Sequence, residues 1–316
     1  MRHNFSLPLA IASLLTMSAC TQNDSSYNDI DGQTPIVLKA NQDDSGDVPS
    51  RAAQQTAGTI TSFGVSASVY GASSTYTSAG CGSLFYNLQV QKSTGATGYY
   101  WPTNDYKLSF FGYYPYGNAA ITLSAATTTG RPSYTVTIPE NAANQIDFMT
   151  AELLDQGYTT TPPASLSLSF AHRLTDIRFK AYNQQASSLT VKSIAIYGVK
   201  YTGTYTTGTS WSLSGSVNSS SSHPFQLSLN TAVASKATVD LTGTSNHFII
   251  LPQTVASGTN FFVIKTIEDS EERTYTYTLD TDYVLVMGRS VTFNLTLGNG
   301  ELTVNPVTVV DWEPES

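Results

Sequence analysis

Hydrophobic and polar positions alternate along most of this chain with a period of two. From residue 60 onward, Phe63, Val65, Ala67 and Val69 share one side of an extended segment, and Ser62, Ser66 and Ser68 fall on the other. Successive side chains of a strand point to opposite faces, so this spacing predicts a half-buried strand ending near Tyr70. Comparable runs predict strands at 83–91, 106–114, 119–124, 133–138, 146–153, 165–171, 174–182, 189–200, 210–214, 224–229, 236–241, 246–252, 259–267 and 272–279. A shorter candidate, 35–40, carries Ile36, Leu38 and Ala40 on one face, with Val37 on the other. The chain ends on a predicted hairpin: 291–297 alternates, Gly298-Asn299-Gly300 turns, and 301–310 returns. Asn-Gly suits such a turn because both residues tolerate the positive φ that a tight hairpin demands. No stretch keeps apolar residues at helical spacing over three turns; 141–154 comes nearest and is short and mixed.

Many short strands separated by turn signals predict an all-β chain built from sandwiches. Pro162-Pro163 interrupts the pattern and favours extended linker backbone. The expected division is therefore a leader at 1–19, a polar segment at 20–51, a first sandwich at 52–163 and a second at 164–316. Composition agrees with this reading. Charged residues make up only 12%, whereas Tyr, Thr, Ser and Gly are abundant. Thr and Tyr favour pleated surfaces, and Gly and Ser favour turns. The net charge of −8 comes with no basic cluster, which argues against a nucleic-acid partner, because neutralising phosphates needs grouped Lys and Arg.

The amino terminus adds a location. Arg2 and His3 precede a short apolar stretch from Leu7 to Leu15, which ends at Met17-Ser18-Ala19-Cys20. A basic start, a short apolar core and small residues form a secretory signal, and the core falls short of the ~20 residues of a membrane-spanning helix. A cysteine directly after the small residues resembles a bacterial lipobox, with Met17 where Leu is commoner. Lipidation of Cys20 would leave an acylated terminus held in a membrane, since each buried CH₂ contributes ~0.8 kcal/mol. Cys81 is then the one remaining cysteine, so no intrachain disulfide is expected.

Catalytic signatures are missing. There is no Gly-x-Ser-x-Gly elbow, His-Glu-x-x-His, Cys-x-x-Cys or phosphate-binding Gly-rich loop. His172, His223 and His247 lie far apart in sequence, without neighbouring ligands at metal spacing. Asp280/Asp282 and Glu271/Glu272 are turn-like acidic pairs. The expectation is a non-enzyme with no metal and no cofactor. An aromatic cluster runs from Tyr99 to Tyr116, and its Tyr100, Trp101 and Tyr114 have two readings. They are a sugar-stacking platform on a surface carbohydrate-binding lipoprotein, or rings of a sandwich core.

Several landmarks occur in an informative order. After the lipobox come Arg51, then Tyr99-Tyr100-Trp101-Pro102, then Leu108-Ser109-Phe110-Phe111-Gly112-Tyr113-Tyr114-Pro115. Gln145-Ile146-Asp147-Phe148-Met149-Thr150-Ala151 and Phe170-Ala171-His172-Arg173-Leu174-Thr175-Asp176-Ile177-Arg178-Phe179 follow. Ile250-Leu251-Pro252-Gln253 and Val310-Asp311-Trp312 complete the series. Together they resemble the fimbrillin family of the Bacteroides group, subunits of type V pili, over nearly the whole chain. The resemblance implies two transthyretin-like β-sandwich domains in tandem. It also implies secretion as a lipoprotein to the outer membrane and cell surface, cleavage after an arginine by an Arg-specific surface protease, and polymerisation with other fimbrial subunits by strand exchange, in support of adhesion.

The residues support that scheme independently. Arg51 lies in the polar segment Pro49-Ser50-Arg51-Ala52-Ala53-Gln54, where an exposed and cleavable bond between Arg51 and Ala52 is expected. Upstream of it, Ile36, Val37, Leu38 and Ala40 form the candidate for a removable or donated strand. Candidate donors at the other end are 291–297 and 301–310, and the sequence leaves the choice between them open.

Overall fold

The computed structural model describes residues 34–42, 60–76, 82–124, 131–243 and 246–312. Its strands are β1 (Pro35–Gln42), β2 (Ser62–Gly71), β3 (Gly82–Gln91), β4 (Ala96–Tyr100), β5 (Tyr106–Tyr114), β6 (Ile121–Leu123), β7 (Ser133–Thr137) and β8 (Met149–Gln156). They continue as β9 (Leu166–His172), β10 (Thr175–Asn183), β11 (Leu189–Ile196), β12 (Lys200–Thr206), β13 (Trp211–Val217), β14 (Phe225–Val233), β15 (Thr238–Asp240) and β16 (Phe248–Ile250). The remainder are β17 (Gln253–Val255), β18 (Asn260–Glu268), β19 (Glu271–Thr278), β20 (Tyr283–Leu285), β21 (Arg289–Gly298), β22 (Glu301–Val304) and β23 (Thr308–Asp311). No α-helix occurs among the described residues, and the all-β expectation holds. The stretch 141–154 resolves into a single 3-10 turn at Ala142–Asn144, followed by β8. Asn141 caps the start of this turn by accepting the Ala143 N–H with its side chain, at 3.0 Å.

Period-two patterning decides which side chains enter the core. In β9, Leu166, Leu168 and Phe170 are buried, and Ser167 and Ser169 are exposed. A seven-stranded sheet runs in the order β3-β2-β5-β8-β9-β1-β4. One of its faces forms a core that includes Ile36, Leu38, Phe63, Val65, Phe110 and Phe170. A second core centres on Phe179, which packs against Phe262 at 5.2 Å and Phe293 at 5.5 Å between ring centres. Around that core lie the sheets β14-β11-β18-β19 and β13-β12-β7-β6, together with a six-stranded sheet. In the latter, β10 and β21 run parallel from Asp176↔Ser290 to Asn183↔Leu297.

The chain passes between the two cores more than once. β9, which follows Pro162-Pro163, lies in the seven-stranded sheet, and β7, which precedes it, contributes Tyr134 and Val136 to the second core. Tyr113 and Phe148 belong to the first half of the chain, yet they join a run of rings with Tyr134, Tyr205 and Trp211. Centroid spacings are 5.0 Å for Tyr113–Tyr134, 5.4 Å for Tyr134–Phe148 and 5.9 Å for Phe148–Trp211. Polar ties reinforce this seam. Arg131 pairs with Glu152 in a two-point contact at 2.7 and 2.6 Å. Arg173 Nε donates to Thr150 Oγ1 at 2.7 Å, and Trp211 Nε1 donates to the Arg173 carbonyl at 2.7 Å.

The terminal hairpin forms as its sequence predicts. Asn299 and Gly300 both take positive φ, 58° and 76°, and Gly298 pairs with Glu301. The returning strand is broken, however. Asn305-Pro306 separates β22 from β23, and the two pair with different halves of β21. Proline has no N–H to give to the ladder, so an uninterrupted strand cannot pass through it.

Asp176 ties three strands of the second core together. It is fully buried and accepts from His247 Nδ1, from Arg178 Nε at 2.6 Å and from Ser290 Oγ at 2.7 Å. Burial alone would push its carboxyl up, but His247, Arg178 and Ser290 outweigh that and hold it below its ordinary value of 3.8. A depressed carboxylate stabilises the fold above the unfolded-state value and loses that contribution as pH falls through the folded-state value. Asp176→Asn is therefore expected to cost roughly 3 kcal/mol near neutral pH. In urea titrations across pH, the gap between variant and wild type should narrow only below about pH 3.8.

Candidate functional site

β1 does not lie at an edge. It sits between β9 and β4, parallel to the first and antiparallel to the second. Leu38 to Gln42 pair with Leu166 to Phe170, while Pro35 and Val37 pair with Tyr100 and Ala96. The Leu38 N–H donates to the Gly95 carbonyl at 2.8 Å, Thr97 Oγ1 donates to the Ile36 carbonyl at 2.9 Å, and the Trp101 N–H donates to the Thr34 carbonyl at 3.0 Å. Gly95 adopts φ +64°, and a Cβ there would lie 2.4 Å from the Leu38 carbonyl oxygen, so the approach of this turn to β1 requires glycine.

The inward face of β1 is completely covered. Ile36 and Leu38 are 0% exposed and Ala40 8%, whereas Lys39 faces outward. Each of the two large aliphatic side chains contributes ~1.5–3 kcal/mol by burial. The neighbour β9 depends on this strand for its hydrogen bonding. β9 pairs with β8 only at Met149↔His172 and Thr150↔Ala171. Over Leu166–Phe170, β1 is its ladder partner. Without β1, two facing strand edges and an apolar slot lined by Leu166, Leu168 and Phe170 would stand open.

The opposite end of the chain is built differently. β21 buries Val291, Phe293, Leu295 and Leu297, each at 2% exposure or less. β23 is exposed throughout, and its adjacent Val309 and Val310 are both 52% exposed. Neighbouring strand residues point to opposite faces, so both faces of β23 are open to solvent. Its anchor is the residue that follows: Trp312 is buried, stacks on His172 at 4.3 Å and 11°, and donates its N–H to the Gly288 carbonyl at 2.9 Å.

The aromatic cluster is divided. Trp101 is 3% exposed and packs edge-on against Tyr158, Tyr114 is 3% exposed in the same core, and Tyr100 alone of the three is open, at 38%. Rings buried on the core side have no free face for a sugar, so these three residues do not make a stacking platform. The histidines are engaged with protein groups: His172 with Asp147 at 2.8 Å, His247 with Asp176, and His223 with the Ile138 carbonyl at 2.6 Å. Among the described residues, no group of three or more His, Cys, Asp and Glu is placed to hold a metal ion. Cys20, Arg51 and Ala52 lie outside the described residues. Sequence reading missed β4 and the Trp312–His172 stack. β4 is a five-residue strand with glycine at its middle, and the stack joins residues far apart in the chain, without a local signal.

This is an all-β protein whose first described strand fills a slot inside a sheet. A family model described as fimbrillin-like matches residues 50–312, and the chain belongs to that family. Solved structures show the same fold. A candidate cell adhesion protein from Bacteroides ovatus is 18% identical over 90% of this chain and 100% of its own, with a TM-score of 0.56. Another from Bacteroides uniformis is 17% identical over 79% of this chain and 91% of its own, with a TM-score of 0.51. A third, from Parabacteroides distasonis, is 11% identical over 89% and 98%, also with a TM-score of 0.51. No curated protein matches the chain.

Proposed function

We propose that this chain is a structural subunit of a cell-surface fimbria, in the shaft or at the tip, that joins its neighbours by strand exchange and serves adhesion. The observation that carries this reading is the placement of β1: a short strand near the amino terminus, inserted mid-sheet, with Ile36 and Leu38 fully buried. Most interior strands are covalently tied to the fold on both sides. β1 is tied to β2 only through 43–61, and Arg51 lies in that link. Cutting after Arg51 would leave β1 held by non-covalent forces alone. An extended segment from another subunit could then replace it, with main-chain hydrogen bonds giving affinity and the side-chain pockets giving register.

Three further facts support the scheme. The family match starts at residue 50, beside Arg51, and leaves out β1. The described arginines are all held within the fold: Arg131 precedes Pro132 and pairs with Glu152, Arg173 binds Thr150, and Arg178, Arg273 and Arg289 lie in strands. In this reading the Arg-specific surface protease acts at Arg51. Of the two candidate donors, 291–297 is the buried strand β21, whose departure would dismantle the second core, whereas 301–310 includes β22 and the exposed valines of β23. The donor in this reading is the segment from Glu301 to Asp311. Partners are other fimbrial subunits, the protease and, through lipidated Cys20, the outer membrane.

Treatment of the purified chain with an Arg-specific protease should yield a resistant product beginning at Ala52. That product should elute as oligomers in size-exclusion chromatography, while Arg51→Ala stays uncut and monomeric. A cut product that remains monomeric at every concentration would contradict assembly by exchange. For the anchor, Cys20→Ala should move the precursor from the membrane to the soluble fraction of expressing cells; unchanged partition would show that the cysteine carries no lipid.

A further inference from the structure

The slot for β1 and the anchor of β23 meet on one strand. β9 takes its ladder partner from β1 over Leu166–Phe170, and two residues later His172 provides the ring on which Trp312 stacks. Between them, only Ala171 and His172 are paired to β8. If β1 leaves, β9 loses five of its seven residue pairs, and the two that remain are those that position His172. The Arg173 N–H on the Phe148 carbonyl at 2.9 Å continues that hold, so fraying after the loss of β1 starts at Leu166 and runs toward His172.

The contacts around Trp312 make that fraying consequential. β23 has four residue pairs with β21 and almost no buried side-chain area, since Thr308, Val309, Val310 and Asp311 are all exposed. Beyond those pairs and the exposed Asp311–Arg289 ion pair, its hold on the protein rests on Trp312. The indole has His172 on its face, and the His172 ring is itself oriented by Asp147 through Nδ1 at 2.8 Å. The backbone of Trp312 binds the Gly288 carbonyl at 2.9 Å, and the Gly288 N–H binds the Leu174 carbonyl at 2.8 Å. Both supports thus come back to 172–174, the short link by which β9 leaves the first sheet for β10.

We infer that the Trp312–His172 stack is a clasp that couples the two ends of the chain: while β1 fills its slot, β9 holds His172 in place and Trp312 keeps β23 folded down, and departure of β1 loosens the clasp and frees β23. The coupling rests on the strand-exchange reading for its biological meaning, because it would stop a subunit from offering its donor segment before its own acceptor slot has opened. Its physical content is independent of that reading. Two events that share one supporting strand are linked, and linkage is reciprocal, so loosening Trp312 must weaken β1 by the factor by which losing β1 weakens β23.

Amide hydrogen exchange on the full, uncut chain tests this directly. Trp312→Ala removes the stack together with one ring of the second core, and it touches no residue of the first core. It should speed exchange at 308–311, and also at 36–42 by about tenfold, with amides of β14 and β19 unchanged. Trp312→Phe, which retains a ring, should restore most of the protection. In the reverse direction, Ile36→Asp/Leu38→Asp expels β1 without proteolysis and should speed exchange at 308–311, and a peptide spanning 35–42 should reverse this. Exchange at 36–42 that is unchanged in Trp312→Ala overturns the inference, whatever the fate of the double variant. The two readings fail separately. Uncoupled exchange in chains that still oligomerise after cutting overturns the clasp alone. Coupled exchange in chains that never oligomerise overturns strand exchange and leaves the clasp standing.

Discussion

The fold of the first half of this protein depends on one strand that is joined covalently to the next only through 43–61. Ile36 and Leu38 reach zero exposure only because β9 and β4 present two open edges with a slot between them. In the proposed exchange, the same geometry would let another strand take its place. A slot between two edges recognises any extended segment with aliphatic residues two apart, because the ladder is main-chain and the pockets ask only for volume. On that proposal, stability and exchangeability are one property. The burial that completes the sheet in a single subunit is the burial an incoming strand would have to match.

The second half has interior ties of its own. Asp176 draws β10, β16 and β21 together through His247 and Ser290, and Phe179 sits among Phe248, Phe262 and Phe293. The seam between the cores is equally firm, with Tyr113, Tyr134, Phe148 and Trp211 in ring contact and Arg131 clamped to Glu152. β23, with two exposed valines, stands apart from this plan.

Much of this was legible in the sequence where the signal is local. Period-two runs located most strands, Asn299-Gly300 located the last hairpin, and Ile36, Leu38 and Ala40 identified the inward face of β1. Partners were not legible. The pairing of β1 with β9 is parallel and spans more than a hundred residues, and parallel pairing leaves no turn between its strands to read. β4 was hidden because Gly98 breaks its alternation, and 301–310 read as one strand although Pro306 divides it. Trp101 and Tyr114 could be read as surface or core from composition alone; their burial follows from which face of the sheet each occupies. Pro162-Pro163 marked a break in pattern, yet β9 beyond it rejoins the first sheet, because topology and not linker composition decides which core a strand completes.

The central claim, that β1 is a separable strand whose burial holds the first core, is tested most directly by thermal melting. The intact chain would be compared with protein cut after Arg51 and stripped of residues up to that point, with and without a peptide spanning 35–42. The account predicts that the first unfolding transition of the stripped protein lies at least about 10 °C lower, and that the peptide raises it again in a concentration-dependent way. Identical melting of intact and stripped protein, with no response to the peptide, would contradict it.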